Sequence, residues 1–307
     1  MFKKNKLFII AAILSSIMFV FSGCSNSSGT NTDNKSQSKP KVVVSFNAMR
    51  EFASAIGKDK IDITTIIPNG TEPHDFEPTA KDLKTLSSAN VFIYSGLGME
   101  SWKDKVINSA NNKNLIAVDA SKDITPIKNT DADEIKEHGQ YDPHAWISLK
   151  NAEIQSKNIK DALVKADPSN KDFYEKNYKS FSKQLEDLYS EYKTKFSTVK
   201  NKNFITGHAA FAYLCRDYGL KQNSVEGVFA EGEPSPQKLA ELVNYCKQNN
   251  IKTIFVEDMV SPKVSNTLAK EVGAKVEKIY TIESKEDNKN YIQSMKSNLE
   301  MIYNSLK

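Results

Sequence analysis

The chain of 307 residues is poor in arginine, since Arg50 and Arg216 are its only two arginines. Its formal net charge is +4, and Lys3, Lys4 and Lys6 near the N-terminus supply three of these charges. The rest of the chain therefore carries a mixed and nearly balanced charge. Because nucleic-acid-binding surfaces need a clustered basic patch, the sequence predicts no nucleic-acid partner.

Cysteine is also scarce, and Cys24, Cys215 and Cys246 are the only three. Cys215 and Cys246 fall in segments of helical character, and an exported protein can form disulfides. Their spacing does not decide between a bridge and two buried thiols, so both alternatives stay open.

Long apolar runs are absent apart from residues 7–21, a stretch that is short for a transmembrane helix. Lysines precede this run, and Ser22, Gly23 and Cys24 follow it, which is the pattern of an export signal. We therefore predict an export signal over residues 1–23. Cys24 in its small-residue context looks like the lipobox of a bacterial lipoprotein, in which this cysteine would carry the lipid anchor.

Residues 24–40 offer almost no apolar surface and consist mainly of Ser, Asn, Lys, Gly and Thr. Such a segment is expected to be a disordered linker between the lipid and the body of the protein. The body, residues 41–307, is long enough for two lobes of ordinary domain size. This arrangement places the body at the extracytoplasmic face of a bacterial cell membrane.

Short, continuously apolar runs alternate with helical segments, which is typical of parallel sheets covered by helices on both faces. We predict an α/β fold with two lobes, residues 41–165 and 199–307. The predicted strands are residues 42–46, 61–67, 91–94 and 115–118, then 204–206, 224–228, 253–256 and 276–280. The predicted helices of the lobes include residues 79–89, 101–110, 209–218, 236–248 and 262–272.

A different pattern separates the lobes. From Pro168 onward, large apolar side chains recur every three or four residues as far as Phe196, which predicts one helix of about 30 residues, roughly 45 Å long. The pattern alone fits any long amphipathic helix. Its place between two α/β halves favours a rigid connector, residues 166–198, which would limit hinge closure.

The chain has four histidines, and three of them occupy stiff loops or strand ends. His74 follows a predicted strand and lies between Pro73 and a second proline, His208 follows another predicted strand, and His144 lies after Pro143. Ligands of open parallel sheets bind beyond the carboxyl ends of the strands. We therefore expect His74, His144 and His208 to meet in the cleft between the lobes.

Carboxylates stand beside two of these histidines. A metal-bound imidazole usually needs an acceptor on its other nitrogen, and Asp75 and Asp142 are candidates next to His74 and His144. Each acid could equally cap a local turn or helix.

Several segments together resemble the zinc and manganese substrate-binding lipoproteins of ABC importers. The resemblance covers the chain from residue 42 to the C-terminus and implies two α/β lobes, one long connecting helix and a single metal ion between the lobes. The segments are GTEPHDFEP (residues 70–78), DPHAW (142–146), GHAAFAY (207–213), YGL (218–220), GEPSP (232–236) and IFVED (254–258).

The resemblance also implies a ligand set. Two ligands from the first lobe match His74 and His144, and the third matches His208, where many manganese-type members have Glu. A late carboxylate is the fourth ligand, and Glu283 occupies that place, although it could also be a solvated acid of a charged loop. Three imidazoles with one carboxylate suit tetrahedral zinc, whereas manganese prefers more oxygen ligands.

The predicted function is therefore capture of one zinc ion per chain and its delivery to the permease of an ABC importer, by a monomer without enzymatic activity. A manganese- or iron-delivering protein of the same family is the nearest alternative. A zinc hydrolase is a further rival, but the chain lacks His-Glu-x-x-His and any local nucleophile signature. A surface adhesin or a purely structural protein is the last rival.

One segment departs from the family pattern. Many zinc members carry a long loop rich in His and Asp between the first two ligands, whereas residues 131–138 here hold four acids and the single His138. This short loop is either a weak auxiliary metal site or a solvated turn.

Overall fold

The computed structural model describes residues 38–130, 135, 139–229 and 234–307. The predicted export signal, Cys24, all but the last three residues of the linker 24–40, and His138 lie outside the described residues. Among the described residues, no helix combines the length and the apolar character needed to cross a membrane.

The first lobe is built on a parallel sheet of four strands with the order β2-β1-β3-β4. The inner strands are almost completely buried because helices cover both faces of the sheet, which explains their uninterrupted Val, Ile and Phe runs. The strands are β1 (Lys41–Val44), β2 (Asp62–Thr65), β3 (Val91–Tyr94) and β4 (Ile116–Asp119), and the helices are α1 (Asn47–Gly57), α2 (Ala80–Ser87), α3 (Lys103–Ala110) and α4 (Leu149–Ala166).

The second lobe repeats this design, with a parallel sheet in the order β6-β5-β7-β8. Proline at the first position of two of its helices supplies the fixed φ that favours helix initiation. The strands are β5 (Asn203–Thr206), β6 (Lys221–Ser224), β7 (Thr253–Val256) and β8 (Lys275–Lys278), and the helices are α6 (Ala212–Tyr218), α7 (Pro236–Gln248), α8 (Pro262–Val272) and α9 (Tyr291–Ser305).

Two elements of the lobes begin three residues away from their predicted positions, while the boundaries of the other predicted strands and helices of the lobes differ by at most two residues. The strand predicted at residues 224–228 lies at Lys221–Ser224, because β6 is an edge strand that keeps polar, partly exposed side chains and gives no apolar signal. The apolar Val225 is buried just after the strand ends. The helix expected from residue 209 begins at Ala212, after a turn that contains His208.

A helix of 28 residues, α5 (Lys171–Thr198), joins the two lobes. A short 3₁₀ turn at Pro168–Asn170 leads into it, so the predicted connector is confirmed with a slightly later start. Its buried side chains belong to one continuous hydrophobic core that also contains strand residues of both lobes, such as Val43 and Phe204. Since the lobes share this core, the connector is packed along its length rather than free to bend.

Cys215 and Cys246 are both buried and both free. Burial raises the pKa of the Cys246 thiol to about 11 and that of Cys215 further. The structure therefore has two buried, protonated thiols in the second lobe, which was one of the two alternatives left open by the sequence.

Candidate metal-binding site

The structure brings four predicted side chains together in the cleft between the lobes. His74 lies in the turn after β2, His208 in the turn after β5, and Glu283 in the loop between β8 and α9. His144 precedes a short 3₁₀ turn, Ala145–Ile147, that leads into α4. One donor atom from each of these residues lies within 4.8 Å of the others.

Three of the donor-atom distances are close to those expected in a tetrahedral zinc site. Nε2 of His144 lies 3.2 Å from Nε2 of His74 and 3.3 Å from Nε2 of His208. Oε1 of Glu283 is 3.7 Å from the same His144 nitrogen. Bonds of about 2.0 to 2.1 Å from a central zinc to its ligands give tetrahedral edges of about 3.3 Å. All four atoms lie within 4.8 Å of one another, so a modest contraction of the site would let them share one small divalent cation.

His144 is oriented by Asp142, one of the acids that the sequence singled out. Its Nδ1 lies 2.9 Å from Oδ1 of Asp142, which also accepts a hydrogen bond from the backbone N–H of His144 at 2.8 Å. Because the carboxylate keeps the proton on Nδ1, Nε2 presents its lone pair to the cleft. Both side chains are buried, so this orientation is fixed before any ion arrives.

His208 has a comparable acid, Glu257, which follows β7 on the neighbouring central strand. Oε1 of Glu257 accepts from the backbone N–H of His208 at 3.3 Å and lies 3.7 Å from its Nδ1. That separation is too long for a hydrogen bond, and Nδ1 of His208 has no partner among the described residues. Burial, and secondarily the charge of His144, lowers the pKa of His208 well below its ordinary value.

Glu257 was part of the family resemblance, but no role was predicted for it. Burial raises its pKa to about 8. A side chain at Gly207 would place Cβ 2.1 Å from Oε2 of Glu257, so the glycine before His208 makes room for this acid. One signal in the sequence could have pointed to a role at the site. Glu257 follows a buried strand, as His208 does.

Glu283 presents a free oxygen to the cleft. Its Oε2 accepts a hydrogen bond from the hydroxyl of Thr281 at 2.7 Å, while Oε1 has no partner in the described part of the chain. Burial, together with the charge of Glu72, raises the pKa of Glu283 well above its ordinary value. A buried carboxylate with an unpaired oxygen is costly unless a cation or proton neutralises it.

His74 is the half-buried member of the group and lies at the outer side of the site. Its ring packs edge-on against Phe229, with centroids 5.2 Å apart. Asp75, the second acid suggested as an orienting partner, is exposed. Within this turn the backbone N–H of His74 donates instead to Oε1 of Glu72, at 3.3 Å.

Comparison with known proteins places this geometry in a family. The family model described as zinc-uptake complex component A, periplasmic, matches residues 42–305. The high-affinity zinc uptake system protein ZnuA of Bacillus subtilis (strain 168) is 40% identical over 320 residues, which span 100% of this chain and 99% of the relative.

Two solved structures resemble the fold closely. The laminin-binding protein Lmb of Streptococcus agalactiae, described as a bifunctional protein with adhesin and metal-transporting activity, has a TM-score of 0.81 at 35% identity and covers 88% of this chain and 100% of its own. The Zn(II)-bound ZnuA-like domain of Streptococcus pneumoniae AdcA has a TM-score of 0.75 at 33% identity and covers 88% of this chain and 99% of its own.

These matches extend over both lobes and the connecting helix, and they agree with the predicted fold class. The family resemblance inferred from the sequence motifs is therefore confirmed. The protein belongs to the zinc-uptake complex component A family, whose members are metal-binding components of transport systems.

Proposed function

We propose that this protein captures one zinc ion outside the cytoplasm and delivers it to the permease of an ABC importer. The observation that carries the proposal is the convergence of four donor atoms, one each from His74, His144, His208 and Glu283, within 4.8 Å of one another. The relatives support the same conclusion, since one is named as a zinc uptake protein and another is described as a Zn(II)-bound domain.

The donor set favours zinc over manganese. Three imidazole nitrogens and one carboxylate oxygen form a compact tetrahedral shell, whereas manganese prefers more oxygens and a higher coordination number. Nickel and copper also bind such nitrogens strongly. The supply of metal and the importer then complete the selection among these ions.

The same geometry supports binding rather than catalysis. A catalytic zinc keeps an open position for water beside three protein ligands, while a fourth protein ligand closes the shell. Glu283 supplies that fourth donor, with its unpaired Oε1 3.7 Å from Nε2 of His144. In this proposal Glu283 is a ligand and not a general base, and the protein is not an enzyme.

The proposal includes a location. Residues 1–23 direct export of the chain. Lipid on Cys24 anchors the exported protein, and residues 24–40 tether its body to the membrane surface. The protein works there as a monomer. The body consists of lobes 41–165 and 199–307 joined by residues 166–198. The core shared through α5 limits lobe movement, so the ion is released by a small separation of the lobes.

Competition titration of the mature protein, residues 24–307 without lipid, tests the function. The protein is first stripped of metal and then titrated with zinc or manganese against a chelator of known affinity. We expect one zinc per chain, bound far more tightly than manganese. Comparable affinities, or a preference for manganese, would overturn the zinc assignment. Hydrolysis of model esters or peptides by the zinc-loaded protein would overturn the binding role.

A further inference from the structure

Asn47 is a buried side chain of the first lobe that contacts the loop bearing Glu283. It is the first residue of α1, directly beyond the carboxyl end of the central strand β1, and is 3% exposed. The loop that it contacts lies more than two hundred residues later in the chain, between β8 and α9. The contact therefore joins the framework of the first lobe to a segment of the second.

Three consecutive carbonyl groups of that loop converge on Asn47. Its Nδ2 donates to the carbonyl oxygens of Ile282 at 3.2 Å and Ser284 at 3.0 Å. Its backbone N–H donates to the carbonyl oxygen of Glu283 itself, at 3.3 Å. The first N–H groups of a helix have no partner within the helix, so this one is available to the loop. Asn47 thus fixes the backbone on both sides of Glu283.

The backbone held in this way is strained. Ile282 has φ of 64°, in the left-handed region that a β-branched residue rarely adopts. Such a conformation persists only where surrounding contacts impose it. The bond from Asn47 to the Ile282 carbonyl and the bond from Trp146 Nε1 to the Thr281 carbonyl, at 2.7 Å, are two such contacts.

Further contacts fasten the same loop to the first lobe. The backbone N–H of Gly70 donates to Oγ of Ser284 at 2.8 Å, and Oδ1 of Asn69 accepts from the backbone N–H of Lys285 at 3.0 Å. Asn69 and Gly70 belong to the segment between β2 and α2 that also carries His74. Glu283 is therefore attached to the first lobe, although it lies in the sequence of the second.

We propose that Asn47 is the positioning residue for Glu283: by binding the carbonyls of residues 282–284 it aims the free carboxylate oxygen at the three imidazoles. This inference rests on the proposed function, since it concerns the fourth ligand of the zinc site. Loss of Asn47 leaves the Ile282 and Ser284 carbonyls without this donor and lets the strained backbone relax. The carboxylate then turns away from the ion, while the three histidines stay in place.

A double-mutant cycle tests the proposal, with zinc affinity measured by chelator competition on the wild type, Asn47→Ala, Glu283→Ala and the double variant. Asn47→Ala is expected to weaken zinc binding about 10-fold, as for partners that orient a ligand. In the Glu283→Ala background the same substitution should have almost no effect, because its target is gone. Asn47→Ser keeps one side-chain donor, the hydroxyl, and should therefore lose less zinc affinity than Asn47→Ala. It replaces Asn47→Ala in the cycle if that variant folds poorly.

Asn177→Ala is the matched control. Asn177 is also a buried amide that contacts α1, since its Nδ2 donates to the carbonyl of Ile56 at 2.9 Å, but it lies on the connecting helix away from the four ligands. It should lower the melting temperature of the metal-free protein without changing zinc affinity. An equal loss of affinity from Asn47→Ala with and without Glu283, or no loss in the wild type, would overturn the inference. Failure of the wild type to bind zinc would instead overturn the proposed function.

Discussion

In the candidate metal-binding site, His144 of the first lobe is already oriented by a carboxylate, whereas His208 of the second lobe is not. Asp142 holds His144 at 2.9 Å, while Glu257 stands 3.7 Å from Nδ1 of His208. Glu283, although encoded late, is attached to the first lobe. We infer that His144 and Glu283 form a prepared face, and that His208 completes the site through a small adjustment of the second lobe.

Among the tests of this comparison, removal of His208 should cause the largest loss of zinc affinity. His208→Ala should weaken zinc binding by more than about 100-fold, beyond the range for residues that only orient a ligand. His138→Ala, in the short acidic loop, should leave affinity nearly unchanged because His138 is outside the proposed ligand set. Chelator competition with zinc measures both. Equal losses would mean that the loop histidine belongs to the site.

The next test removes the orienting acid of the prepared face. Asp142→Ala should weaken zinc binding by about 10- to 100-fold, because His144 would lose the partner that fixes its tautomer and ring orientation. Asp217→Ala is the control, since Asp217 is also buried but pairs with Ser148 and Arg216 rather than with an imidazole. If Asp142→Ala bound zinc as tightly as Asp217→Ala, His144 would need no such partner.

A smaller effect on zinc affinity is expected from Glu257, the acid beside His208 in the second lobe. Glu257→Ala should weaken zinc binding by about 10-fold, the low end of the range for orienting residues, because its bond to His208 must first shorten from 3.7 Å. The measurement is the same titration, run beside the Asp142 variant. A loss as large as that of Asp142→Ala would contradict the asymmetry between the two sides.

The smallest effect concerns pH and the metal-free protein. Burial, with the charge of Asp258, raises the pKa of Glu286 in the second lobe from 4.5 to about 7. The folded protein therefore keeps a proton that the unfolded chain releases above its pKa of 4.5, so this group makes stability fall as the pH rises from about 5 to 7.

Glu286→Gln removes that group and should make the decline in melting temperature between pH 5 and 7 shallower. Glu257 shifts in the same direction, so part of the decline remains. The exposed Glu241→Gln is the control and should leave the slope unchanged. A slope unaffected by Glu286→Gln would show that this acid is ionised in the folded protein at low pH.

Much of the fold was predictable because its inner strands are buried on both faces and its connecting helix repeats large apolar residues. The helix α4 was not predicted, since its inner face buries the polar Asn151, Gln155 and Ser156, which weakens the apolar periodicity. β6 was misplaced because an edge strand can be polar.

Within the candidate site, the convergence of the three histidines could be predicted because ligands of parallel sheets bind beyond the carboxyl ends of the strands. Asp142 was named as a candidate orienting partner because it lies two residues before His144 in the sequence. Glu257 and Asn47 had no role assigned, because their partners lie far away in sequence, 49 and 235 residues respectively. Pairing of β5 with β7 brings Glu257 to His208, and the packing of the two lobes brings Asn47 to the loop of Glu283.

Zinc K-edge X-ray absorption on the mature protein, loaded with one equivalent of zinc, would show which side chains hold the ion. We expect four nitrogen or oxygen donors at about 2.0 to 2.1 Å, with the multiple scattering of three imidazoles. The Glu283→Ala variant should keep the three imidazoles and lose only the carboxylate. Fewer than three imidazoles, or a five- or six-coordinate ion in the wild type, would contradict a site closed by His74, His144, His208 and Glu283.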